Sequence, residues 1–306
     1  MTEILVEKIK NTYLDNFEKL KFKNKFHFLS RLFLWSGDVE SKKALGLLLR
    51  DYNFDQVYEI YTQEKNSSFN INNHKEGLRS KYFEKYPDIN KYNRLLYLLM
   101  MYENIFQLKQ KELFAKYFNR HKVEQLYDSL IKDPSALVFL STYAINFIYF
   151  YKAWFCGEDE PLNISFVKDE VNKVNDLADN ENIKLCLYLY THIIIGESRF
   201  YYKKIEPLRK GELINIIYLL ENIIKEKYAE ISLDNKLEFL VCCKLLEYKS
   251  NLESQISIEA LNSYDKEKGY LICKNNDKSL LINNFNSSEH RNVLYIMSQT
   301  SFQPNS

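Results

Sequence analysis

LLYLLMMYENI, Leu95 to Ile105, decides the fold. Pro87-Asp88 opens the segment, and Leu95, Leu96, Leu98, Leu99 and Tyr102 recur at helical spacing with no glycine between them. IIYLLENII, Ile216 to Ile224, has the same texture. The whole chain shares the property: it carries seven glycines and five prolines in 306 residues, roughly a third of the usual share of about 12%. So few chain breakers leave little material for hairpins, phosphate-cradling loops or a many-stranded sheet. The expected fold is all-α, an irregular array of antiparallel helices. GYLICKNNDKSLLI, Gly269 to Ile282, breaks the helical pattern and predicts one small β-hairpin.

Further helices are expected over Ile4–Leu20, Lys25–Trp35, Val39–Tyr52, Phe54–Gln63, Lys122–Ile131, Phe166–Leu177, Glu212–Tyr228 and Ser232–Tyr248. Pro134 starts a long apolar helix to Phe155, where proline is tolerated. Ser135 to Tyr151 is the longest uncharged run. It reaches only the short end of the roughly 17–25 residues a membrane span needs, so it reads as a buried helix. Tetratricopeptide and ankyrin consensus patterns are absent.

CGEDEP, Cys156 to Pro161, is the expected boundary between an N-terminal half, 1–156, and a C-terminal half, 157–306, packed together as one unit. Net charge changes sign there. The first half holds 24 basic and 18 acidic residues, the second 18 and 23, against an overall +1. That imbalance is too mild for a nucleic-acid partner, although Lys21, Lys23 and Lys25 alternate with Phe22 and Phe26.

Five cysteines without a C-x-x-C pair, several in apolar runs, read as free thiols in a reducing cytoplasm. MTEILVEKIK lacks a basic stretch followed by an apolar one, so no signal peptide is expected. The motifs HExxH, GxSxG, GxxxxGKS and GxGxxG are missing, so the sequence identifies no cofactor and no metal site.

Candidate functional residues are polar groups set among apolar ones. In NIKLCLYLYTHIIIG, Asn182 to Gly196, a helix apolar all round should bury His192, which then needs a polar partner. Gly196 is read as that helix's terminal residue. Glu197 to Lys204 offers Arg199 and Tyr201 as ligand-binding groups. SSEHRNVL, Ser287 to Leu294, supplies Glu289 and His290 as candidate catalytic residues and Arg291 and Asn292 as ligand-binding ones, and is the expected source of the His192 partner. Its plain alternative is a serine-capped short helix. Asn235, Glu238 and Cys242 share one helix face, and His121-x-x-Glu124 reads as a solvated face. His27 and His74 show no grouped partner in the sequence. The leading expectation is a protein-interaction module. The rival is an enzyme or small-ligand protein with a polar pocket around His192 and His290.

Overall fold

A computed structural model describes residues 2–50, 52–68, 78–107, 116–156, 180–273 and 283–304. Fourteen α-helices, a short 3-10 turn, a π turn and one two-stranded antiparallel sheet make up the regular structure of those residues. The chain is all-α, as its glycine and proline poverty predicts. Among the described residues no helix is long and apolar enough to cross a membrane.

Contacts divide the chain into two compact units: Met1–Lys65, Tyr201–Ile205 and Leu213–Ser306 form the first, Asn66–Phe200 and Glu206–Glu212 the second. This grouping cuts across the expected halves 1–156 and 157–306. Residues 157–179, which include most of CGEDEP and the helix expected over Phe166–Leu177, lie outside the described residues.

The first unit contains α1 (Thr2–Asp15), α2 (Phe22–Ser36), α3 (Val39–Leu49) and α4 (Phe54–Ser68). It also holds most of α11 (Pro207–Glu226), then α12 (Leu233–Leu246), α13 (Glu253–Asn262) and α14 (Phe285–Gln299). Helix α2 stops where Gly37 turns left-handed, and the Ser232 hydroxyl caps α12 by accepting from the Asn235 N–H. The hairpin joins β1 (Tyr264–Asp265) to β2 (Tyr270–Leu271), in register Tyr264 with Leu271. Its turn lies between Asp265 and Tyr270. Residues 274–282, the expected return strand, are not among those described.

Helix α14 is the axis of this unit. It packs against α12, α1, α2 and β2, and Val293, Tyr295 and Met297 are wholly buried. The sequence predicts a short helix capped by a serine there. The structure has fifteen residues capped by Asn284, whose side chain accepts from the Ser287 N–H. Three asparagines tie it down. Asn292, fully buried, accepts from the Leu271 N–H at 2.8 Å and donates to the Leu271 carbonyl at 3.2 Å, so its amide completes the open edge of β2. Asn283 makes the same paired contact with Cys273, at 2.6 and 2.7 Å. Asn286 accepts from the Lys21 N–H and donates to the Lys19 carbonyl.

The second unit contains α5 (Leu78–Lys85), α6 (Ile89–Phe106), α7 (Arg120–Ile131), α8 (Pro134–Leu140), α9 (Thr142–Tyr151) and α10 (Asn180–Glu197). The single helix expected from Pro134 to Phe155 is broken. Ser141 takes φ 50°, its hydroxyl donates to the Leu185 carbonyl at 2.8 Å, and residues 152–156 close as a π turn. Gly196 lies inside α10 instead of ending it. A Cβ there would come within 2.3 Å of the Tyr149 ring, so the residue is fixed by close helix approach. The turn is made further on by Arg199, Phe200 and Tyr201, each at positive φ.

Removing the Asn292 amide leaves a buried N–H and carbonyl of Leu271 without their side-chain partner. Asn292→Ala should lower unfolding free energy by about 1–3 kcal/mol, the cost of stranding such groups. Urea unfolding of the full chain reads it, and a change within about 0.5 kcal/mol would contradict the clamp.

Candidate functional site

Helix α2 places Lys23, His27 and Arg31 at i, i+4 and i+8, one above another on a single stripe, all half-buried. The packing of α2 on α14 brings this stripe to Glu289, whose carboxylate group lies 2.9 Å from His27 Nδ1. The His290 ring follows, its centroid 5.5 Å from that of His27. Asp234, in the first turn of α12, accepts from Arg291 Nε. Two imidazoles, two carboxyl groups and three further cations thus meet where α2, α12 and α14 converge.

Burial dominates the electrostatics. Glu289 is only 3% exposed, and desolvation pushes its pKa up to about 8, although His290, Arg31 and Lys23 pull it down. Its carboxyl group therefore keeps its proton at neutral pH, within 2.9 Å of the His27 ring. His290 behaves differently. His290 is an exposed residue, and its imidazole pKa is pushed down to about 4, first by desolvation and then by His27. Asp234 and Glu289 oppose that shift and Arg31 reinforces it. A neutral imidazole at the solvent and a protonated carboxyl behind it form a pair with its pKa values driven apart, the pattern of acid–base sites.

The expected site residues separate. Glu289, His290, Arg291, Asn292 and Tyr201 belong to the first unit, His192 and Arg199 to the second. His192 is half-buried and not enclosed, because Lys184, Tyr188 and His192 form an i, i+4, i+8 stripe open to solvent. Its Nδ1 bonds Asn146 Oδ1 at 2.8 Å, so α9 supplies a polar partner. Arg199 serves the left-handed turn, where its carbonyl accepts from Asn104 at 3.5 Å. Asn292 is a structural clamp. Tyr201 is buried, with the Arg31 guanidinium 4.6 Å above its ring and Trp35 edge-on at 5.8 Å.

His27 is the residue that sequence reading missed. The Lys23-His27-Arg31 stripe was visible at helical spacing, but its acid partner lies 262 residues away. The remaining candidates are structural. Cys186, Cys242 and Cys243 are buried free thiols, with burial pushing Cys186 up to about 11 and Cys242 well above the ordinary range. His121 sits exposed beside Gln125, and Arg120 pairs with Glu124. Phe26, paired in the sequence with basic residues, is wholly core. Among the described residues no group of three or more His, Cys, Asp or Glu side chains is arranged to hold a metal.

The pKa shifts set the pH dependence of stability. Folded Glu289 holds its proton to about pH 8, an unfolded glutamate to about 4.5, so the fold binds more protons between those values and weakens as pH rises. His290 contributes oppositely: its depressed folded pKa, about 4 against 6.5, costs stability as pH falls through that window. Above pH 6.5, of these two groups Glu289 alone acts. Glu289→Gln should therefore flatten the decline in urea midpoint between pH 6.5 and 8. Equal slopes for both proteins would contradict a dry, protonated Glu289.

No family model, curated protein or solved structure matches this chain, so a functional reading rests on the geometry of its own residues.

Proposed function

We propose that the protein acts by binding a small molecule at the solvent-facing His290, with the His27–Glu289 pair available for proton exchange. The observation that carries this reading is an imidazole open to solvent, set against a buried carboxyl that a second imidazole contacts at 2.9 Å. A structural ion pair needs no accessible third group, whereas a site that handles a ligand's proton does. His290 is neutral at physiological pH and can accept a hydrogen bond or a proton from a bound molecule. Glu289 and His27 can supply or take one behind it.

A protein-interaction role, the expectation from composition, draws on a different observation. Helix α11 presents Leu208, 85% exposed, with Tyr218 and Leu219 also solvent-facing. Among the described residues the other exposed apolar side chains, Ile4, Leu14, Val39, Leu47, Tyr52 and Ile258, are spread over three further helices and the connection after α3. The His27–Glu289–His290 cluster therefore has the stronger claim. Free thiols at Cys186, Cys242, Cys243 and Cys273 fit a reducing compartment, and we assign the protein to the cytoplasm on that ground.

A thermal-shift panel of small carboxylates, phosphate esters, sugars and nucleobases, run on the full chain and on His290→Gln, tests the reading. The expected result is at least one compound that raises Tm in the natural protein and not in the variant. A panel to which both proteins respond alike contradicts it.

A further inference from the structure

The chain beyond α14 runs over the last turn of α2, and both belong to the first unit. Its contacts there converge on Trp35. The Trp35 indole N–H donates to the Thr300 hydroxyl at 3.0 Å, and the Gln303 N–H donates to the Trp35 carbonyl at 2.8 Å. Between them the Phe302 ring lies 4.9 Å from the Trp35 ring. Thr300 is extended, with φ −114° and ψ 162°, and residues 301–304 have no regular secondary structure. Exposure alternates along them: Ser301 and Gln303 are exposed, Phe302 and Pro304 half-buried. A period of two is that of a strand laid on a surface with one side down. Thr300 and Phe302 face Trp35, which is only 1% exposed.

Trp35 thus offers three features to an extended segment: an N–H donor, a ring face, and one of the carbonyls that the end of a helix leaves open. They read a hydroxyl, an aromatic ring two residues on, and the backbone N–H that follows. Main-chain bonds combined with alternate side chains in fixed places are the means by which extended peptides are recognised. The hold is slight. Each of the two hydrogen bonds and the ring contact is worth about tenfold or less in an equilibrium constant. Ordering the backbone of each residue in the segment costs about as much. Water satisfies the indole N–H and the carbonyl when the segment lifts, so release strands no buried polar group.

We infer that Thr300–Gln303 is a releasable strap, which opens without unfolding the unit and uncovers at Trp35 a seat for an extended segment of the same hydroxyl-x-aromatic pattern. Closed, it buries the indole and completes the end of α2. Open, it leaves the ring face, the N–H and the carbonyl to an incoming segment. The strap is tethered through α14, so it fills the seat at an effective concentration in the millimolar range. A competitor enters only when the strap is weakened. The inference goes beyond the reading of His290 and uses none of the His27–Glu289–His290 cluster.

The test uses the full chain with ¹⁵N-labelled tryptophan. The sequence holds two, Trp35 and Trp154, and Trp154→Phe assigns their indole signals. The expected result is that the Trp35 indole hydrogen exchanges with solvent far faster than the amides of α14, at a rate that low urea leaves unchanged, the mark of local opening. Phe302→Ala should speed that exchange about three- to tenfold, the worth of the ring contact. A synthetic peptide of residues 298–304, SQTSFQP, added at millimolar concentration, should then shift the Trp35 indole signal of this variant and slow its exchange again. Thr300→Val, which removes the hydroxyl, supplies the same comparison should Phe302→Ala fail to fold. Exchange of the Trp35 indole hydrogen only at the rate and urea dependence of global unfolding overturns the strap. A folded variant whose indole signal the peptide leaves unchanged overturns the seat beneath it.

Discussion

The Asn292 amide fixes the helix on which the candidate site depends. It is buried without exposure and holds the Leu271 N–H and carbonyl, the Ser288 carbonyl and the Tyr13 hydroxyl. An amide has both donor and acceptor capacity, so one side chain can satisfy both polar groups of a strand residue that has no further neighbour. Asn283 and Asn286 repeat the device at either side of the start of α14. These contacts fix the rotation and height of the helix. With Asn292 turned toward β2 and α1, the periodicity of the helix carries Glu289 to His27 and Arg291 to Asp234. The site's geometry is thus a consequence of a buried hydrogen-bond network, and such networks stay specific only when fully satisfied.

Glycine scarcity leaves its own mark. Among the described residues Gln107, Ser141, Arg199, Phe200, Tyr201 and Glu247 occupy positive φ without being glycine. Left-handed geometry costs an ordinary L-residue about 1–2 kcal/mol. Three such residues in succession need compensation from packing. Phe200 lies against Phe150 at 4.6 Å in the second unit, while Tyr201 is held in the first by Arg31 and Trp35. The contact of the Arg31 guanidinium with the Tyr201 ring is therefore also part of what stabilises the turn. Backbone strain and site geometry meet at Tyr201.

The helices were legible because periodicity and caps act locally: Gly37, Ser232 and Pro134 each mark a boundary the structure keeps. The break at Ser141 was not legible, since its cause is a bond to the Leu185 carbonyl 44 residues away. Tyr188 reads as apolar in a sequence, so the open stripe that carries His192 looked like a fully buried helix. The polar string Glu289–Asn292 was visible as a site candidate, but its four side chains meet different surroundings: His27, solvent, Asp234 and Leu271. Only the packing of α2 on α14 decides that His27, not His192, is the second histidine.

The account stands on the protonation of Glu289, because a dry carboxyl behind an open imidazole distinguishes an acid–base site from a surface ion pair. Carbon-13 NMR of the Glu289 side-chain carboxyl, followed through a pH titration of the full chain, measures it directly. A midpoint near 8, with the His290 ring still neutral well below pH 6, is the predicted result. A Glu289 midpoint at the ordinary glutamate value near 4.5 would contradict it.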